Sequence, residues 1–412
     1  MEQPKLNRWV ILIASTIINL CVGAIYAFSV FAGPLSQHHG WTMGQVMMAF
    51  TINAAISPIP MILGGKILDK GGAKICVLVG GAMFGLGLFL VGLATTPAML
   101  YLSYGVISGF GCGIAYSGTL GNTVKLFPDK RGLASGIVTA GYGGATILAA
   151  PIANYLIQNH GVLAAFKYIG IAYLVISVVA GLFVKAAPQG YKPEGWTPPA
   201  ATKAGGENVP WTKMLGTAKF YIIALMFTFA ALSGMMFAAH ASVVGQQMFG
   251  LTATIAALYV STYSLSNCLG RIFWGAISDK IGRNNSLLGI YVVIAVMMFL
   301  LATTNSNMGF LIAIIGIGLC FGGTMGVFPG IVGEKFGMRY YGVNYGITFI
   351  GYSAAAFFGP RIAAQVAGAN NGDFTNAFYI AMVISLVGFG LALLFKWMEK
   401  RESLVTTSKK IA

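Results

Sequence analysis

Charged side chains are scarce in this chain of 412 residues. Asp, Glu, Lys and Arg together make up 8% of the sequence, while hydrophobic residues make up 57%. Soluble domains carry roughly 25% charged residues, so this composition excludes a soluble globular protein. Only ten residues are acidic, and none of them lies within a long hydrophobic segment. The hydrophobic segments therefore contain no carboxylate that could neutralise a cation or carry a proton.

Cysteine and histidine are also few, with five and four residues respectively. The sequence contains no Cys-x-x-Cys pair, no cluster of metal-ligating residues, no paired acids and no recognisable activated nucleophile. We therefore expect no metal, no disulfide, no cofactor and no enzymatic activity. The isolated cysteines are typical of small hydrophobic side chains packed in a protein interior.

Long apolar segments, by contrast, recur twelve times. A membrane-spanning helix needs about 20 predominantly apolar residues, and each segment is close to that length. The sequence therefore predicts an all-α membrane protein with twelve transmembrane helices. The predicted spans are 9–32, 42–64, 74–96, 98–121, 132–157, 164–187, 219–245, 252–277, 285–303, 308–330, 342–366 and 374–396.

The net charge of +15 does not indicate nucleic-acid binding, because of where the basic residues lie. If both termini are cytoplasmic, 22 of the 25 Lys and Arg residues fall on the cytoplasmic side. This is the positive-inside rule, and it predicts that both termini are cytoplasmic. We expect a multi-pass protein of the bacterial inner membrane. We expect a monomer. The three exceptions are Lys167 in an outer loop, Arg361 near the outer end of the eleventh segment, and Arg271 in the eighth.

The chain divides into two halves joined by a polar linker. Residues 188–216 contain five of the fourteen prolines and show no apolar periodicity, which is typical of a linker. We predict an N-terminal six-helix bundle at 1–187 and a C-terminal six-helix bundle at 217–412. The lipid bilayer surrounds both.

The two halves share motifs at a constant shift of 210 residues. Gly65-x-x-x-Asp69-Lys70-x-Gly72 matches Gly275-x-x-x-Asp279-Lys280-x-Gly282, and Gly141-Tyr142 matches Gly351-Tyr352. Parallel six-helix pseudo-repeats are the architecture of the major facilitator fold, in which substrate binds between the halves. The repeated Asp motif resembles the signature of that superfamily. The resemblance implies that Asp69 and Asp279, with the basic residues Arg131 and Arg283, form a gate on the cytoplasmic side.

Arg271 is the basic residue that lies deep within a predicted span. A guanidinium in hydrocarbon costs at least ~2.5–3.5 kcal/mol on insertion scales, so it needs a partner. No acidic residue of the chain shares the membrane with it, which points to an anionic substrate. Tyr263, Asn267 and Arg271 follow at four-residue intervals and form one polar stripe on a helix, so Tyr263 and Asn267 are candidate substrate-binding residues beside Arg271. The alternative is a structural Arg271 bonded to helix carbonyls.

A narrower resemblance supports the carboxylate. The segments GAIYAFSVF at 23–31, FPDKRGLASG at 127–136 and NCLGR at 267–271 are similar to the oxalate/formate antiporter family. Within that family the chain looks close to bacterial monocarboxylate (lactate) transporter homologues, and eukaryotic monocarboxylate transporters are more distantly similar. The resemblance implies that Arg271 binds the substrate carboxylate and that Asn267 orients Arg271 or contacts the substrate.

The eleventh segment departs from that family. The family's dicarboxylate exchanger has a Lys there, at the position that Tyr352 occupies in this chain. With one embedded cation instead of two, the expected substrate is a small monocarboxylate such as lactate, pyruvate, acetate or formate. Tyr26, Tyr116, Tyr142 and Tyr352 are candidates for an aromatic cage around it. Ordinary packing is the alternative for each of these tyrosines.

His240 is the histidine that the sequence places within a span. It is a candidate for proton coupling, because histidine titrates near physiological pH. A structural role is the alternative, and the substrate itself could carry the proton. The predicted function is alternating-access transport of a lactate-like monocarboxylate with proton symport. Carboxylate:carboxylate exchange and a passive anion channel are the alternatives.

Overall fold

The structure is a computed structural model that describes residues 6–197 and 208–411, with side chains to residue 401. Twelve helices, numbered here α1 to α12, run through these residues, and no strand occurs among them. The first half contains α1 (Arg8–His39), α2 (Met43–Ile56 and Pro58–Asp69), α3 (Ala73–Val91), α4 (Pro97–Leu126), α5 (Arg131–His160) and α6 (Val162–Leu182). The second half contains α7 (Ala218–Ala238 and Ala241–Gln247), α8 (Ala253–Ile281), α9 (Arg283–Thr303), α10 (Asn307–Phe336), α11 (Tyr341–Thr348 and Ile350–Ala369) and α12 (Thr375–Ile411).

Ten of these helices are long and apolar enough to cross a membrane by composition alone, when the two parts of α2 count as one bent span. The other two are α8, which carries Arg271 and Asp279, and α11, which is interrupted. Both occupy positions required by the repeat, so the twelve predicted segments all correspond to helices.

Several helices that the sequence predicts to be continuous are broken. α2 bends by 41° at Ser57, because Pro58 begins its second part and has no N–H to bond the preceding turn. α7 is interrupted before His240 and α11 at Phe349. α1 contains a 3₁₀ stretch (Gly23–Ala27), and α4 contains a π-helical stretch (Tyr101–Ser108). Such irregular turns leave backbone carbonyls available to side chains.

Glycine pairs bring the two halves into backbone contact. A Cβ on Gly132 of α5 would lie 2.1 Å from the carbonyl oxygen of Gly275 in α8. A Cβ on Gly342 of α11 would lie 2.5 Å from the carbonyl oxygen of Gly65 in α2. These two crossings are related by the 210-residue shift found in the sequence. The repeat therefore holds in three dimensions, with α5 against α8 and α11 against α2.

Candidate functional site

A cavity with about 480 Å³ of empty space lies between the two halves. Helices of both halves contribute to its walls, as the shared site of a two-repeat carrier requires. The lining residues are Tyr26, Asn53, Ser57, Met61, Gly109, Cys112, Gly113, Tyr116, Tyr142, Arg271, Met325, Phe349 and Tyr352.

Arg271 supplies the positive charge of this cavity. The residue is 5% exposed. Its Nη1 donates to the carbonyl oxygen of Thr139 in α5 (2.7 Å), and its Nε donates to Asn267 Oδ1 (3.2 Å). Arginine has five N–H donors, and within the described residues the guanidinium forms no ion pair. The helix-carbonyl contact considered from sequence is thus present, but it leaves the charge without a counter-ion.

The position of the guanidinium depends on a glycine of α5. A Cβ on Gly143 would lie 2.6 Å from Arg271 Cζ and 2.7 Å from its Nε and Nη2. The guanidinium therefore rests directly on the bare backbone of α5. On the other side, a Cβ on Gly326 of α10 would lie 2.3 Å from the Arg271 carbonyl oxygen. α8 is thereby held between α5 and α10, which fixes where the charge can sit.

The four predicted cage tyrosines all line the same cavity as Arg271. The ring centroids of Tyr26 and Tyr142 are 5.5 Å apart, and those of Tyr116 and Tyr142 are 4.9 Å apart. Tyr352 lies across from them, with its ring centroid 4.8 Å from that of Phe349. Sequence reasoning missed Phe349. Its ring centroid also lies 6.1 Å from that of Tyr116.

The polar stripe on α8 is divided in its roles. Asn267 and Tyr263 do not line the cavity among the described residues. Asn267 lies behind Arg271 and accepts its Nε–H, so it orients the guanidinium. Tyr263 is 6% exposed and packs its ring against Phe237 at 5.7 Å. Its hydroxyl has no hydrogen-bond partner in the described chain. The direct substrate contacts predicted for these two residues are therefore not part of the cavity geometry.

The opposite wall is a second stripe that sequence reasoning did not identify. Asn53, Ser57 and Met61 of α2 all line the cavity. Subtracting 210 from Tyr263, Asn267 and Arg271 gives these same three positions. The repeat shift could therefore have found them. The thioether of Met61 in the first half thus occupies the position that corresponds to the guanidinium of Arg271 in the second half.

The repeated Asp motif joins the two halves at one end of the helices. Asp279 Oδ1 accepts the backbone N–H of Gly132 (2.9 Å), and Oδ2 accepts that of Leu133 (2.9 Å). Asp69 does the same for Gly342 (2.9 Å) and Val343 (3.0 Å). Each carboxylate of one half therefore caps the first turn of a helix in the other half, where N–H groups lack helical partners and the helix dipole favours negative charge.

Basic side chains complete each cap. Lys125 Nζ donates to Asp69 Oδ1 at 3.0 Å, and Arg283 Nη2 donates to Asp279 Oδ1 at 3.1 Å. Arg283 also donates to Glu334 Oε2 at 3.1 Å. Arg131, the other predicted gate residue, is the first residue of α5 beside this cluster. Its Nε is buried and forms no hydrogen bond to any described residue.

The start of α1 and the described end of the linker lie at this same end. Arg8 pairs with Asp129 in the loop before α5, and Asn344 Nδ2 at the start of α11 donates to the carbonyl oxygen of Val209 (2.9 Å). Ser135 Oγ bridges the halves just above the caps by donating to the carbonyl oxygen of Gly326 (2.7 Å). We refer to this end as the gate side.

His240 and Arg361 lie away from the cavity lining. His240 is at the turn between the two parts of α7, not inside a continuous helix as its sequence suggests. Its Nε2 lies 2.9 Å from the carbonyl oxygen of Pro360 in α11. Arg361 is exposed. It donates to the Phe357 carbonyl oxygen at 2.8 Å, and its Cζ lies 3.6 Å from the Phe357 ring centroid.

Comparison with known proteins agrees with this arrangement. Residues 12–360 match the family described as Major Facilitator Superfamily. The chain is 29% identical to the oxalate:formate antiporter of Oxalobacter formigenes, over 94% of this chain and 91% of that protein. It is 24% identical to monocarboxylate transporter 11 of Homo sapiens, over 92% and 81%. The solved structure of the proton:xylose symporter XylE superimposes with a TM-score of 0.73 at 15% identity, covering 95% of each chain. The chain belongs to the Major Facilitator Superfamily of membrane transporters.

Proposed function

We propose that this protein carries a small, lactate-like monocarboxylate across the bacterial inner membrane by alternating access, with proton symport. The observation that carries the proposal is the buried guanidinium of Arg271, which faces the cavity without a counter-ion in the described residues. A carboxylate can accept two parallel N–H bonds from a guanidinium. The guanidinium is buried, so this pair is stronger there than in water.

One charge favours one carboxylate. Arg271 is the cation among the residues that line the cavity, and its repeat mate Met61 and the residue across from it, Tyr352, are neutral. A dicarboxylate bound there would leave its second charge buried without a partner, which is costly. Tyr352 can still donate one hydrogen bond to a carboxylate or a hydroxyl.

The gate geometry suggests how transport proceeds. If the gate side is cytoplasmic, as the distribution of basic residues favours, this conformation faces outward. Bound carboxylate neutralises Arg271 and lowers the cost of carrying the closed site through the membrane. The halves then rock, and the Asp69 and Asp279 caps must break for the cytoplasmic side to open. Protons would enter through His240 or with the substrate itself.

The test compares two arginines in reconstituted vesicles. Arg271→Gln removes the cavity charge, whereas Arg361→Gln removes an exposed charge of α11 and serves as the matched control. We expect uptake of radiolabelled lactate to fall to the level of protein-free vesicles in Arg271→Gln and to persist in Arg361→Gln. Persistent lactate uptake in a folded Arg271→Gln protein would contradict the proposal.

Carboxylate:carboxylate exchange is the second candidate, because the chain is similar to an oxalate:formate antiporter. Exchange would require internal carboxylate and would not respond to an imposed pH gradient. Proton symport predicts uptake into protein-containing vesicles that hold no internal carboxylate, and this uptake should rise when the outside is acidic. A passive anion channel would show neither saturation nor trans-stimulation, and the paired caps of the gate argue against it.

A further inference from the structure

We propose that Asn53 forms a second subsite that accepts a hydrogen bond from the hydroxyl group of the substrate. The protein would then select 2-hydroxy monocarboxylates, such as lactate and glycolate, over their 2-oxo and unsubstituted counterparts. This inference rests on the proposed function, since Arg271 must first hold the carboxylate.

The orientation of the Asn53 amide is determined by its neighbour. One amide atom lies 3.0 Å from the carbonyl oxygen of Tyr104. A carbonyl oxygen can only accept, so this atom must be Nδ2, which donates. The same carbonyl also accepts from Ser108 Oγ, and both contacts occur in the π-helical stretch of α4. The amide therefore cannot be reversed without placing two oxygens against each other.

The remaining polar atom of this side chain is Oδ1, an acceptor. Asn53 is 7% exposed and lines the cavity, and among the described residues its side chain forms a hydrogen bond through Nδ2 alone. Gly109 leaves room for the amide, since a Cβ there would lie 3.0 Å from Asn53 Nδ2. Oδ1 can therefore accept a hydrogen bond from a donor on whatever fills the cavity.

Asn53 and Arg271 line the same cavity and are offset by about one helical turn along it. The guanidinium rests on Gly143, whose repeat mate is Ser353, and Ser353 Oγ lies 3.2 Å from Ser57 Oγ. By the repeat, the charge is thus level with Ser57, and Asn53 lies one helical turn, ~5.4 Å, beyond it. Two hydrogen bonds of about 2.8 Å each, joined by the carbons of a 2-hydroxy acid, can span such a gap.

An acceptor at this place distinguishes substrates by chemistry. The hydroxyl of lactate can donate to Oδ1. The keto oxygen of pyruvate can only accept and would face Oδ1 unfavourably, while propionate would leave Oδ1 unpaired. Sites that hydrogen-bond a substrate hydroxyl reject analogues lacking it far more strongly than apolar pockets separate molecules by size.

The experiment measures competition against radiolabelled lactate uptake by lactate, pyruvate and propionate in vesicles containing the full chain. In the wild type we expect lactate to compete at least roughly tenfold better than the other two. Asn53→Leu and the milder Asn53→Ser should reduce this preference to within about threefold, because leucine removes the acceptor and serine can also donate. Asn154→Leu, on an exposed face of α5, is the matched control and should keep the wild-type preference.

Two results would overturn the subsite. One is equal competition by lactate and pyruvate in the wild type, which needs no variant to fold. The other is an unchanged preference in Asn53→Leu. A wild-type protein that takes up no monocarboxylate at all would instead refute the proposed function. The two failures are therefore distinguishable.

Discussion

Gly143→Ala tests whether the position of the guanidinium, and not only its charge, determines substrate affinity. The new methyl group would begin 2.6 Å from Arg271 Cζ, whereas carbon atoms in contact normally lie about 3.5–4.0 Å apart. The end of the arginine side chain must therefore move by about 1 Å. That movement breaks its alignment with the Thr139 carbonyl oxygen, which Nη1 now reaches at 2.7 Å. The charge stays in the cavity, but it no longer points where the carboxylate binds.

The expected effect follows from the bonds that are lost. A hydrogen bond involving a charged group contributes about 1.5–3 kcal/mol, which corresponds to a roughly 10- to 100-fold rise in the KM for lactate. The assay is concentration-dependent uptake in proteoliposomes. Gly390→Ala is the matched control, because a Cβ there meets no atom within 4 Å. A KM for Gly143→Ala equal to that of Gly390→Ala would refute the reasoning.

Three further predictions concern the gate, the specificity and the proton. Asp279→Asn removes the charge that caps α5 and should open the gate side more often. A cysteine introduced at Ser135 should then react roughly tenfold faster with an impermeant maleimide added from the gate side. An unchanged rate would mean that the cap does not hold the gate. Tyr352→Lys adds a second cation to the cavity and should allow oxalate to compete with lactate, whereas persistent exclusion of oxalate would show that charge number does not set specificity. His240→Gln keeps a hydrogen-bonding side chain but cannot titrate, so acid-stimulated uptake should be lost if His240 carries the proton and retained if the substrate does.

The sequence was sufficient for the helices, the repeat and the positions of the gate acids. Composition predicts the membrane helices because backbone N–H and C=O groups in hydrocarbon must be hydrogen-bonded within the protein, and a helix does this within one segment. The 210-residue shift matches residues that contact each other across the halves, so Asp69 and Asp279 could be paired with opposite helix ends. The breaks in α7 and α11 were not predicted, because neither segment has a proline at those points.

The site was only partly predictable, because side-chain neighbours depend on how helices cross. Arg271 and the four tyrosines could be identified by residue type. The role of Asn267 as an orienting residue depends on which face of α8 meets α10, and spacing alone does not determine that. The 210-residue shift leads from Tyr263 to Asn53, but the hydrogen bond of Asn53 to the Tyr104 carbonyl oxygen depends on the π-helical stretch of α4, which the sequence does not predict.

The most direct test of the central claim is a competition screen of radiolabelled lactate uptake by the wild-type protein. Mono- and dicarboxylates of one to four carbons would be compared at two pH values. A site with one guanidinium predicts that lactate and other small monocarboxylates compete, that oxalate and succinate do not, and that uptake is greater at the lower external pH. Competition by oxalate as strong as that by lactate would contradict a cavity built for a single carboxylate.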